Sequence, residues 1–213
     1  MKSKQGNHYE VSTYRMRSSL EKKFKSSVAE DDYDQDMYRQ VMKTRKNPAT
    51  MEPIINASEL CMCLRRVVNM DQSRIDKVVE IVRSCGRAII FYNYDFELEI
   101  LKNADYCLDN FEIAEWNGHK HQEIPETENW VYLSQYIAGC EGWNCIKTNT
   151  IIFYSQNYSY RIMTQAAGRI DRLNTPFNEL FYYHLRSQSA IDGAIAMALK
   201  QKKKFNEREF IGG

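Results

Sequence analysis

Between residues 87 and 204, short apolar runs of strand length alternate with segments of helical period. Ala88 to Tyr92, Glu112 to Trp116, Trp130 to Tyr136, Thr150 to Tyr154 and Leu180 to Leu185 each read as a strand. Asp95 to Lys102, Tyr158 to Leu173 and Ser189 to Lys204 read as helices set among them. A strand that is apolar at successive positions is buried on both faces, as in a parallel sheet covered by helices. The expected fold class is therefore α/β, with about five parallel strands over residues 85–205 and no internal repeat.

Upstream of this core the period is helical. Tyr33, Met37 and Val41 recur every fourth residue, with acids before them and Lys43, Arg45 and Lys46 after them, as the helix dipole favours. Asn56 with Glu59 forms a capping-box pattern ahead of Leu60, Leu64, Val67 and Val68. A third helix follows Asp71 through Ile75, Val78, Val79 and Val82 and ends at Gly86. Residues 31–84 thus read as a helical linker or bracing segment, 1–30 as a charged, poorly ordered arm and 206–213 as a tail.

Composition removes several function classes. With 29 Lys and Arg against 28 Asp and Glu, the chain is not a polycation that coats nucleic acid by bulk charge, so any such contact is local. No apolar run approaches the roughly 20 residues that span a bilayer, and Met1-Lys-Ser-Lys-Gln-Gly leads into charge, which implies a cytoplasmic protein without membrane contact. The six cysteines contain no Cys-x-x-Cys pair and read as free thiols. His119-Lys-His121 reads as a polar loop, and no metal site is expected.

Ligands of open parallel sheets bind beyond the carboxyl ends of the strands. Three segments there stand out: Asn93-Tyr94-Asp95, the glycine-paired turn Ala138-Gly-Cys-Glu-Gly-Trp-Asn144, and Gln165-Ala-Ala-Gly-Arg-Ile-Asp-Arg172. If the last lies on a helix, Gln165, Arg169 and Arg172 share one face, and two fixed guanidiniums can grip a polyphosphate. A solvated face paired with Asp171 or Glu179 is the alternative. Lys200-Gln-Lys-Lys-Lys204 could touch a nucleic-acid backbone or simply suit a helix end, and Tyr154, Tyr158, Tyr160 and Trp143 could stack on bases or fill the core.

Gln-x-x-Gly-Arg-x-x-Arg, about 20 residues after a Gly-x-Asn turn and about 75 after Ile89-Ile-Phe-Tyr92, resembles motifs VI, V and IV of superfamily two helicases and translocases. The resemblance spans roughly residues 85–205, the carboxyl-terminal RecA-like domain, and is nearest to the Swi/Snf-like branch and to phage DEAD/DEAH-type helicases. Ala138-Gly139 with Gly142-Trp143-Asn144 is similar to that branch's glycine turn. Leu185 with Ala190-Ile191-Asp192 and Ile195 is similar to its tail, and Trp116-Asn117-Gly118 to its short motif after the second strand. The chain departs from the pattern at Tyr136, where helicases often place Thr, and at Gly168, where the Swi/Snf branch places Asp.

The resemblance implies an ATP-dependent motor lobe. Arg172 would be the arginine finger, Arg169 a second phosphate or interface arginine, and Gln165 with Gly168 organisers of the cleft. Gly142 and Asn144 would line the nucleotide side of the turn. Asn93, Gly118, Ser134 and Tyr136 would face nucleic-acid phosphates. Neither Gly-x-x-x-x-Gly-Lys-Ser/Thr nor a Walker B Asp-Glu pair occurs in these 213 residues. ATP and Mg2+ would therefore be held mainly by an amino-terminal helicase lobe supplied in cis or in trans, and the chain alone would not hydrolyse ATP. The track would be DNA, with RNA as the other choice, and the setting the host cytoplasm if the chain is phage-encoded. The competing expectation is a non-catalytic module that kept the fold and binds nucleic acid or protein. An unrelated α/β enzyme with a phosphate-binding glycine loop is a third.

Overall fold

The computed structural model describes residues 9–15, 23–25, 33–106, 110–139 and 143–212. Five parallel strands form its centre: β3 (Arg87–Tyr92), β4 (Glu112–Trp116), β5 (Trp130–Gln135), β6 (Thr150–Phe153) and β7 (Glu179–Leu185). β1 (Tyr9–Arg15) and β2 (Lys23–Lys25) add to one edge, so the spatial order is β2-β1-β7-β6-β3-β5-β4. Nearly every residue of β3, β5 and β6 is buried, as their uninterrupted apolar runs require. Ile89, Phe91 and Phe153 face one apolar layer and Ala88, Ile90 and Tyr92 the other.

β1 departs from the expected poorly ordered arm. It pairs antiparallel with β7 from Tyr9 opposite Leu185 to Arg15 opposite Glu179. The charge density of residues 1–30 hid a run, Tyr9-Glu-Val-Ser-Thr-Tyr-Arg15, that is rich in aromatic and β-branched residues suited to a strand.

The upstream helices are α1 (Gln35–Thr44), α2 (Ala57–Asn69) and α3 (Gln72–Cys85). Asn56 accepts the Glu59 N–H at 2.8 Å, while the Glu59 carboxylate reaches back to the Ile55 N–H at 3.0 Å, one residue beyond the usual capping-box target. Gly86 ends α3 in the left-handed region at φ 71°, where a side chain is disfavoured. These helices share the core of the sheet: Leu60, Leu64 and Val68 join one apolar layer and Val78 and Val82 the other. At about 1.5 to 3 kcal/mol for each such side chain, this interface belongs to the domain itself.

α4 (Asp95–Lys102), α5 (Tyr136–Gly139), α6 (Tyr160–Ala167), α7 (Ala190–Lys200) and α8 (Glu207–Gly212) complete the fold. α8 lies where only a tail was expected. Among the described residues, no helix is long and apolar enough to cross a membrane.

Candidate functional site

The carboxyl ends of β3 and β6 meet in a polar network. Asn93, just past β3, donates from Nδ2 to Ser155 Oγ at 2.8 Å and accepts from Asn157 Nδ2 at 2.8 Å. The fully buried Glu97 carboxylate accepts from Asn93 N at 2.7 Å, Ser155 Oγ at 2.9 Å and Asn69 Nδ2 at 2.7 Å. Those donors replace the water it has lost. Arg65, buried on α2, donates to the Gln156 carbonyl at 2.8 Å, and its guanidinium lies 5.1 Å and 5.0 Å from the ring centres of Tyr94 and Tyr158. Neither Arg65 nor Glu97 was expected from sequence. The available signals were an arginine one place past Leu64 on an otherwise apolar face, and a glutamate at the third position of α4.

Beyond β5 the chain turns at once into α5. Ser134 and Tyr136 were expected to face phosphate, but both are fully buried. The Tyr136 hydroxyl donates to the Ser155 carbonyl at 3.0 Å, and its ring stacks on Phe91 with centroids 5.3 Å apart. Both side chains are enclosed because Ser134 lies within the buried strand β5 and α5 begins at Tyr136, directly after the last strand residue, which leaves no open loop there. Gly139 closes over Ser134: a Cβ on Gly139 would collide with Ser134 Oγ and approach Phe91 Cε1 to 3.2 Å. Gly142 lies outside the described residues. Trp143 packs on Phe91 with centroids 6.2 Å apart, and Asn144 beside it is exposed.

The arginine segment differs most from expectation. α6 ends at Ala167, so Gln165, Arg169 and Arg172 do not share one helical face. Gly168 caps the helix, Ile170 is drawn fully into the core, and other groups take the carbonyls that would continue the ladder. The Tyr182 hydroxyl donates to Ala167 O at 3.1 Å and the Cys145 N–H to Arg169 O at 2.9 Å. A Cβ on Gly168 would meet its own helix backbone no closer than 3.4 Å, so no close approach demands glycine there.

Arg169 faces its own domain. Its Nη1 donates to the Trp143 carbonyl at 2.6 Å and its guanidinium lies 5.9 Å from the Trp143 ring centre. It ties the glycine turn to the end of α6. Arg172 differs: among the described residues its side chain forms neither an ion pair nor a hydrogen bond, while its Nε, like that of Arg169, is shielded from solvent. Its carbonyl is held by the Thr175 N–H at 3.1 Å, and Leu173 next to it is 95% exposed. Gln165 is half-buried.

Gly118 sits exposed in a loop braced by Asn117, whose Oδ1 accepts from the N–H groups of His119 and Lys120, both at 2.9 Å. Trp116 stacks on His121 at 4.4 Å below it. Among the described residues, no cluster of three His, Cys, Asp or Glu side chains could hold a metal ion.

A crystal structure of the C-terminal part of the Fun30 ATPase domain is similar over 84% of this chain and 69% of that one, with a TM-score of 0.55 at 16% identity. The fold is that of a RecA-like lobe. No family model and no curated protein matches the chain. In this RecA-like lobe, Asn93, Asn144, Gly118 and the polar network stand on the loops that follow β3, β5, β4 and β6. Gln165, Arg169 and Arg172 lie within and after α6.

Proposed function

We propose that the chain is the second, carboxyl-terminal lobe of an ATP-dependent nucleic-acid helicase or translocase, completed by a lobe that carries the Walker motifs. Arg172 carries the reading. A guanidinium with a shielded donor that makes no ion pair or side-chain hydrogen bond among the described residues leaves a cost of about 1 to 3 kcal/mol unanswered within the domain. A phosphate brought by another lobe would answer it with charge-assisted bonds. The fold shared with part of an ATPase domain supports the same reading.

Arg172 is then the arginine finger and Arg169 a positioning residue that holds the glycine turn. Gln165 and Asn144 line the cleft. ATP and Mg2+ sit mainly on the other lobe, and DNA or RNA runs across Asn93 and Gly118. The chain by itself does not hydrolyse ATP.

The reading is tested by pairing the chain with the polypeptide, or the segment of a longer chain, that bears a Gly-Lys-Ser/Thr loop. Hydrolysis stimulated by single-stranded DNA is expected only in the pair, and Arg172→Ala should lower it by about 10^3-fold or more. Hydrolysis indifferent to that change contradicts the reading. A second reading, a non-catalytic binding module, draws on Arg169 being committed to its own domain. Failure of every such pairing to hydrolyse ATP would favour it.

A further inference from the structure

Of the aromatic residues near the carboxyl ends of β5 and β6, Tyr154 and Trp143 are buried and Tyr158 packs against Phe205 with centroids 4.8 Å apart. Tyr160 is 39% exposed, and the Lys202 ammonium lies 5.9 Å from its ring centre. Lys202 belongs to the run Lys200-Gln-Lys-Lys-Lys204, every residue of which is exposed.

These lysines are not needed to finish α7. Backbone alone does so: Lys202 N–H donates to Leu199 O at 2.9 Å and Lys203 N–H to Ala198 O at 2.9 Å. Lys202 takes φ 57°, the left-handed position that glycine fills most readily. A cation thus stands where an uncharged glycine would be less strained. Among the described residues, none of Lys200, Lys202, Lys203 and Lys204 forms an ion pair. Glu207, the first acid after them, accepts a hydrogen bond from Ser58.

The run is also fixed in place. Phe205 is buried and donates its N–H to Tyr158 O at 2.9 Å, within the connection that leaves β6. Asn157 in that connection bonds Asn93 at 2.8 Å. Four ammonium groups without an acid partner among the described residues, and one exposed aromatic ring that Lys202 approaches, therefore flank the carboxyl end of the sheet.

We propose that Lys200, Lys202, Lys203 and Lys204 with Tyr160 form a nucleotide-independent binding site for single-stranded nucleic acid, lysines on successive phosphates and the Tyr160 ring against a base. The site needs neither Arg172 nor a second lobe, so it stands or falls separately from the ATPase reading. An acidic peptide would satisfy the charges but leave the ring unused.

The test is fluorescence anisotropy of the full chain with a labelled deoxythymidine oligomer of about 20 nucleotides, without ATP, up to ~200 mM salt. Binding should weaken with salt. Replacing Lys202, Lys203 and Lys204 by Gln should reduce affinity at least ~10-fold and flatten the logarithmic salt slope by about 2, at ~0.7 per phosphate contact. Tyr160→Ala should cost ~5-fold or more while Tyr160→Phe costs little, as stacking requires. Arg172→Ala should leave binding unchanged, and thermal midpoints of the lysine and Tyr160 variants should match the parent because those side chains are exposed. No binding at low salt, full affinity in the lysine variant, or polyglutamate competing as well as the oligomer would each overturn the proposal.

Discussion

At the residue scale, two arginines three positions apart have different surroundings. Arg169 spends its guanidinium on the Trp143 carbonyl and ring, while the Arg172 side chain makes no ion pair or hydrogen bond among the described residues. The sequence distinguishes neither, because the difference depends on where α6 stops. Gly139 is the residue whose smallness the packing requires. Gly139→Ala should destabilise by about 1 to 3 kcal/mol through overpacking, read as a lower urea midpoint. Ser134→Ala combined with it should recover part of the loss: it removes the colliding hydroxyl but leaves Ser134 Cβ, which the new methyl would approach to 3.3 Å.

His184 adds a pH dependence at this scale. Burial, with a lesser effect of Arg186, pushes its imidazole down to about 4, and its Nδ1 is enclosed without a hydrogen-bond partner although part of the residue reaches the surface. A base with a lowered folded pKa binds fewer protons folded than unfolded, so stability falls as pH drops. The contribution is complete above about 6.5 and lost progressively toward 4. The expected loss is about 2 to 3 kcal/mol, and His184→Phe, which can keep the tilted ring contact with Phe153, should flatten that part of a stability-against-pH curve. An unchanged slope would show that other groups set it.

At the scale of elements, the α3–α7 connection is a buried ion pair. Arg74 Nη2 lies 2.7 Å from Asp192 Oδ2 and Nη1 donates to Tyr154 O at 2.8 Å. Burial would raise the Asp192 carboxyl, but Arg74 and the Ser187 N–H hold it below its ordinary value. Its stabilising contribution is therefore present above about 3.9 and lost as pH falls through the folded value. Arg74→Ala strands a buried carboxylate and should cost about 3 to 5 kcal/mol in unfolding free energy, whereas Arg74→Ala with Asp192→Asn should cost clearly less. Equal losses would mean that the cost comes from packing alone.

The central strands were legible in the sequence because burial on both faces leaves an uninterrupted apolar run, and β4 and α4 fall at the expected residues. α6 was not, because the bonds that halt it come from Tyr182 and Cys145, distant in sequence. For the same reason Gln165, Arg169 and Arg172, expected on one helical face, do not share one. Ser134 and Tyr136 were expected to face phosphate from the end of a strand running to Tyr136, but Tyr136 opens α5 and both side chains are buried.

At the scale of the whole molecule, the upstream helices and the sheet form one body. Arg65 and Arg74 reach from α2 and α3 to backbone carbonyls just past β6, so the segment once read as a linker reports directly on that end of the lobe. The lobe offers an unanswered guanidinium at 172 and, in our proposal, an anchored basic run at 200–204. A nucleotide would engage the first, and a strand would hold the second through repeated cycles. In a motor completed by a Walker-bearing lobe, the two engagements would be separable.

The measurement that bears most directly on this account is the steady-state rate of ATP hydrolysis by such a completed motor with Arg172→Ala, Arg172→Lys and Arg169→Ala. A finger aimed at the transferring phosphoryl group predicts a kcat loss of about 10^3-fold or more for Arg172→Ala with KM for ATP little changed, and incomplete rescue by Lys, which lacks the planar fork. Full kcat in Arg172→Ala would contradict it.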